Sequence, residues 1–86
     1  MASMTFENQA IPIAEIYVPT KWQKALNPET VQEIANAMLD GDQMSPIMIR
    51  KGKGRYVLVE GLHRLEACKA VGEETILAVL VQARKF

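Results

Sequence analysis

The sequence has little that would tie it to an oxidising compartment, a membrane or a polyanion. It holds one cysteine, Cys68, in 86 residues. A single thiol excludes a disulfide framework within the chain and fits a reducing, cytoplasmic setting. An excess of charge is also missing, because ten Lys and Arg are balanced by ten Asp and Glu. Domains that grip nucleic acid without regard to sequence carry a basic excess, so the composition argues against that class. No stretch approaches the ~20 apolar residues of a membrane span. No basic segment followed by an apolar one opens the chain, so no signal peptide is expected. Nor is there a His, Asp and Glu cluster at metal-ligand spacing, so no tight structural metal is expected. Met1-Ala2-Ser3 ahead of Met4 reads as a cloning scar. Residues 1–8 are read as a tail and 9–86 as a single domain, near the lower end of what folds alone.

What is present is enough for one modest core, since 49% of the residues are hydrophobic. Gln9 to Ile13 read as a short strand, placed at a sheet edge because Pro12 has no N–H for a ladder. Pro19 and Asn27-Pro28 bracket a loop with Trp22 between Lys21 and Lys24, where a lone tryptophan covers the margin of a small core. A helix starts at Pro28, with Asn27 as N-cap, Pro28 at the first position and Glu29 at the positive end of the dipole. Val31, Ile34, Ala35, Met38 and Leu39 recur at helical spacing as its apolar stripe, and Gly41 stops it. Ile47 to Lys51 and Arg55 to Glu60 read as strands joined by a turn at Gly52-Lys53-Gly54. Arg50, Lys51, Lys53 and Arg55 cluster around that turn as a solvated tip. Tyr56-Val57-Leu58-Val59 is apolar on both faces, which predicts a central strand. A second helix runs from Leu62 to Val71 and ends at Gly72. The last strand, Thr75 to Gln82, is again continuously apolar. The expected fold is a small α/β domain, a mixed four-stranded sheet with two helices. The strand–helix–strand unit from Arg55 to Gln82 predicts a parallel pair.

The chemistry gathers where the presumed central strand meets the second helix, at Glu60-Gly61-Leu62-His63-Arg64. Ligands of open α/β sheets bind where a strand ends and a helix begins. The first N–H groups of such a helix lack partners within it and carry the positive end of its dipole, which suits an anion. At 100° per residue, Leu65, Ala67, Cys68 and Val71 form the packing face. Arg64 falls within that face, in the first turn. A guanidinium there cannot lose its charge and needs acceptors. Two remain open, a carboxylate such as Glu60 or Glu15, or a bound phosphate gripped through two N–H groups. Leu62 falls beside Glu66 and Lys69 and is expected to be partly exposed at the mouth of the junction.

The run Val59-Glu60-Gly61-Leu62-His63-Arg64-Leu65-Glu66-Ala67, followed by Gly72 and an apolar strand, resembles the signature of the ParB/sulfiredoxin superfamily. Its ParB-like nuclease and ParB N-terminal-type domains carry related boxes. Upstream, Gly41-Asp42-Gln43-Met44-Ser45-Pro46-Ile47-Met48-Ile49-Arg50 resembles the family's other box. Ile11, Ile13, Ile16 and Pro19 resemble its opening segment, so the likeness spans Ile11 to Val81. The resemblance implies that Gly61 lets a phosphate approach the backbone, that Leu62 lies in the same phosphate-holding turn, that Arg64 grips the phosphate and that His63 donates to it. A plain capping or surface role is the other reading of His63. Gln43 and Ser45 would approach the same pocket. ATP or CTP, with Mg, is the implied ligand.

Departures from the family narrow the function. Sulfiredoxins place a cysteine immediately before the His-Arg pair, where this chain has Leu62. Cys68 lies on the packing side of the helix, so sulfinic-acid reduction is not expected. The chain ends after the last strand, so no element is expected to enter a DNA groove and sequence-specific DNA binding by this chain alone is not expected. Three readings stand: a nucleotide- or phosphate-binding module working with a protein partner or as a homodimer; a phosphate-ester enzyme, nuclease or phosphotransferase, with Glu15 or Glu60 as base; and an inactive interaction domain with Leu62 on its surface. Glu15 enters by resemblance, from the opening segment where a related small-molecule kinase places a glutamate.

Overall fold

Local signals in the chain become elements where the sequence places them, and tertiary pairing then rearranges their expected neighbours. The computed structural model describes residues 8–42 and 45–81. In chain order these residues form β1 (Asn8–Pro12), a short 3-10 turn (Ile13–Glu15), β2 (Ile16–Tyr17), α1 (Thr20–Gln23), α2 (Pro28–Leu39), β3 (Ile47–Lys51), β4 (Tyr56–Glu60), α3 (Leu62–Ala70) and β5 (Thr75–Val81). The expected last residue of the final strand, Gln82, lies outside the described residues, as do residues 1–7 of the tail.

The sheet has five strands in the order β1-β5-β3-β4-β2, so the expectation of four is one short. The extra strand is β2, a two-residue pairing of Ile16 with Tyr56 and Tyr17 with Val57. Two residues carry no periodicity, which is why the pattern did not show it. The four-residue α1 is likewise additional to the two expected helices. β1 is an edge strand, as Pro12 requires, and pairs antiparallel with β5. The expected parallel pairing of β4 with β5 is not formed. β3 lies between them, antiparallel to β4 and parallel to β5. The tight turn at Gly52 to Arg55, closed by Gly52 N–H donating to the Arg55 carbonyl at 2.8 Å, gives β4 a hairpin partner on that side. β5 therefore docks on the far edge of β3. The central strand is β3, and β4 lies next to the edge.

α2 begins as its sequence dictates. The Asn27 side-chain oxygen accepts from the N–H groups of Glu29 and Thr30 at 2.9 and 3.4 Å. At the other end Gly41 has φ +93°, and Asp42 N–H donates to the Ala37 carbonyl at 3.0 Å, a left-handed stop. Asn27→Ala is expected to lower stability by about 1 kcal/mol, read from the urea unfolding midpoint. An unchanged midpoint would mean that the cap is replaced by water at no cost.

Helix α3 packs on β3 and β5, and α2 packs chiefly on α3. The core beneath them is built from Ile11, Ile47, Ile49, Leu58, Leu65, Ile76 and Ala78, with Trp22 and Met38 packed at its margin. Two expectations about leucines are reversed. Leu39 was assigned to the core stripe and is 73% exposed, whereas Leu62 was assigned to the surface and is 5% exposed. Leu39 is the last residue of α2, where the helix ends in solvent. Leu62 joins the main buried cluster, and the packing of α2 on α3 supplies a neighbour that a helical wheel does not contain.

Candidate phosphate-binding turn

β4 ends at Glu60, and Gly61 turns the chain directly into α3. Gly61 has φ +110° and ψ +30°, in the left-handed region. A Cβ added there would lie 2.5 Å from Ile47 Cγ2 and 2.8 Å from Ile47 Cβ. Glycine is thus demanded by the dihedral and again by the contact between the turn and β3. No side chain caps α3 and no acidic residue sits in its first turn. Its opening N–H groups therefore lack partners inside the helix and carry its partial positive charge.

The turn opens into two clefts. One, of about 400 Å³, is lined by Glu60, Gly61, Leu62, His63 and Arg64 from the turn and by Trp22, Thr30 and Ile34 opposite. The other, of about 240 Å³, is lined by Arg64 together with Ser45, Met38, Cys68 and Glu73. Arg64 is common to both. Its side chain is half-buried, and among the described residues the one ion pair joins Lys69 to Glu66, so Arg64 has no carboxylate partner there.

His63 Nε2 accepts from the Asn27 backbone N–H at 3.0 Å. Accepting at Nε2 leaves the neutral ring's proton on Nδ1. Histidine thus ties the first turn of α3 to the residue that caps α2, a role closer to the capping reading than to direct donation from Nε2. Glu60 is exposed at the cleft. Glu15 is not brought to the turn. It lines a separate cleft with Lys51, Arg55 and Tyr56, at the opposite end of β4, roughly 13 Å of strand away. Ser45 reaches the second cleft, and Gln43 lies outside the described residues. Cys68 is buried, and burial first, then the nearby Glu73 carboxylate, pushes its thiol pKa up, away from thiolate chemistry.

Trp22 does cover the core margin, but it also faces the turn, as do Thr30 and Ile34. Ile34 belongs to the apolar stripe read from the sequence, whereas Thr30 was not singled out there; which face of α2 meets the turn is set by tertiary packing. At the hairpin end, the Arg55 guanidinium carbon stacks 3.9 Å from the centroid of the Tyr17 ring. Among the described residues no helix is long and apolar enough to cross a membrane, and no three His, Cys, Asp or Glu are grouped to hold a metal.

A family model described as the ParB N-terminal domain matches residues 2–85. A probable chromosome-partitioning protein ParB of Campylobacter jejuni is 32% identical over 62 residues, covering 72% of this chain. The chain spans only 22% of that relative's length. Among solved structures, sulfiredoxin from Arabidopsis thaliana superposes with a TM-score of 0.78 at 22% identity, over 90% of this chain and 86% of its own. The C-terminally truncated chromosome-partitioning protein ParB from Caulobacter crescentus, complexed with CTP-gamma-S, gives 0.77 at 19% identity, over 92% of this chain and 46% of its own. A free serine kinase mutant in complex with AMP gives 0.74 at 17% identity, over 92% of this chain and 32% of its own. At these identities the structural likeness is one of fold.

Proposed function

The chain belongs to the ParB N-terminal domain family, and from that premise we propose that residues 9–86 act as one domain that binds a nucleotide by its phosphates at the turn Gly61 to Arg64. The observation that carries the reading is Arg64. It stands half-buried in the first turn of an uncapped helix, between two clefts, with no carboxylate partner among the described residues. Of the two acceptors left open by the sequence, the phosphate is the one this arrangement favours. A phosphate at Arg64 would also receive the unpaired N–H groups of the turn. His63 holds the turn against α2, and Ser45 borders the second cleft. A magnesium ion would arrive with the nucleotide and be held mainly by its phosphates, because the described residues group no three ligands for it. Two structural neighbours hold CTP-gamma-S and AMP, which makes ATP, CTP and ADP the ligands to try.

The test is calorimetric titration of the chain with each nucleotide, with and without magnesium, beside Arg64→Ala. Saturable binding is expected, with affinity falling by at least about a hundredfold in the variant, as loss of a charge-assisted paired contact implies. Undiminished binding by Arg64→Ala would sink the assignment. The enzymatic reading has one observation in its favour, the exposed Glu60 carboxylate at the cleft. It would show itself in the same samples as product formed with magnesium, removed by Glu60→Gln while binding persists.

A further inference from the structure

Among the described residues, one hydrogen bond to a side chain joins parts of the chain that are distant in sequence. The Asn27 N–H donates to His63 Nε2 at 3.0 Å, across 36 positions. The bond connects the two sides of the larger cleft. His63 stands in the first turn of α3, while Asn27 follows α1 and caps α2. Those two helices supply the facing wall through Trp22, Ala25, Thr30 and Ile34. The bond is therefore a tie between the walls.

Such a tie holds only while the ring is neutral. A neutral imidazole has one nitrogen free to accept, whereas a protonated one donates from both and accepts from neither. Losing the tie costs little at this place, because the bond is exposed and water can take the Asn27 N–H. A phosphate in the cleft offers Nε2 the opposite kind of partner, a charged acceptor. Hydrogen bonds between charged groups are roughly twice as strong as neutral ones. The charges around the ring are divided. Glu60 and Arg64 border the same cleft, and the residues that α1 and α2 contribute to it do not titrate. Glu29 stands in the first turn of α2, and Glu66, one turn along α3 from His63, is engaged with Lys69. The carboxylates favour a charged ring and Arg64 opposes it. A phosphate on Arg64 would neutralise that opposition, so occupancy of the site decides the balance.

We infer that His63 exchanges partners when the site fills. In the empty site the ring is neutral, protonated on Nδ1 and tied to Asn27. In the filled site Nε2 takes a proton from solvent and donates to the phosphate, Nδ1 keeps its own proton, and the Asn27 N–H passes to water. Binding thus takes up one proton at His63 and unties the α1–α2 wall from the turn. The inference rests on the phosphate reading above and adds to it a control by pH.

His63 is the one histidine of the chain, so its ring nitrogens are identified without ambiguity by nitrogen NMR. At about pH 7.5 the ligand-free ring is expected to carry its proton on Nδ1 alone. Saturation with ATP or CTP and magnesium should leave both nitrogens protonated and shift the Asn27 amide signal. Calorimetry compares the parent with His63→Gln, whose side chain accepts without gaining charge. Titration of the nucleotide's own phosphate is common to both and cancels. The affinity of the parent relative to the variant should rise at least about threefold from about pH 8 to about pH 6. A ring still neutral with nucleotide bound, or an unmoved Asn27 amide, overturns the exchange and leaves the phosphate reading standing. Absence of binding at every pH overturns both.

Discussion

Replacing Gly61 by alanine should cost the chain about 2–5 kcal/mol, a large share of what a domain of this size holds. Two effects add. An L-residue at φ +110° pays roughly 1–2 kcal/mol for its Cβ. That same Cβ would be driven to 2.5 Å from the Cγ2 of Ile47, which is 1% exposed and has nowhere to retreat. Overfilling a packed core costs roughly a further 1–3 kcal/mol. Urea unfolding followed by circular dichroism measures the total. A loss below about 1 kcal/mol would mean that β3 yields easily, and the steric account of the turn would fail. The family resemblance gave Gly61 a role in admitting a phosphate, while the structure gives it a role in folding. Binding lost in Gly61→Ala would therefore not separate the two roles, which is why Arg64 is the residue on which the ligand is tested.

Leu62→Asp should leave the chain largely unfolded. Truncating a buried leucine costs about 2–5 kcal/mol before any charge is considered. A carboxylate at a site 5% exposed adds the cost of removing it from water, with no described cation paired to it. The control is Leu39→Asp, where a residue 73% exposed should shift stability by no more than about 0.5 kcal/mol. Far-UV circular dichroism and the urea midpoint read both. A folded Leu62→Asp with weakened partner binding would restore the surface role that the sequence suggested for this residue.

These two leucines show where the sequence was readable. The limits of α2 were legible because Asn27, Pro28 and Gly41 act on their own neighbours. The edge position of β1 followed from one missing N–H at Pro12. The turn at Gly61 was legible as a strand running into a glycine and then a helix, with Arg64 in its first turn. Which face of α3 is buried was half legible. Leu65, Ala67 and Cys68 pack as the wheel predicts, but a wheel supposes one partner and α3 has two. The insertion of β3 between β4 and β5 was not legible, because a hairpin and a crossover compete for the same strand edge and local pattern does not rank them. Nor did the sequence show that Glu15 sits at the far end of β4, since the pairing of Ile16 with Tyr56 spans the intervening chain.

The sheet order also governs how such a chain is born. β1 emerges first from the ribosome, yet its partner in the sheet is β5, the final strand described. Until Thr75–Val81 has been released, Asn8–Pro12 has no ladder to join and β3 has one side unpaired. The hairpin of β3 and β4 and the cap of α2 can form earlier, from contacts close in sequence. Closure of the sheet must wait for nearly the whole described length. A nascent chain held short of Thr75 would expose an unpaired edge and an apolar core to chaperones and proteases, so β5 is the latch on which the sheet closes.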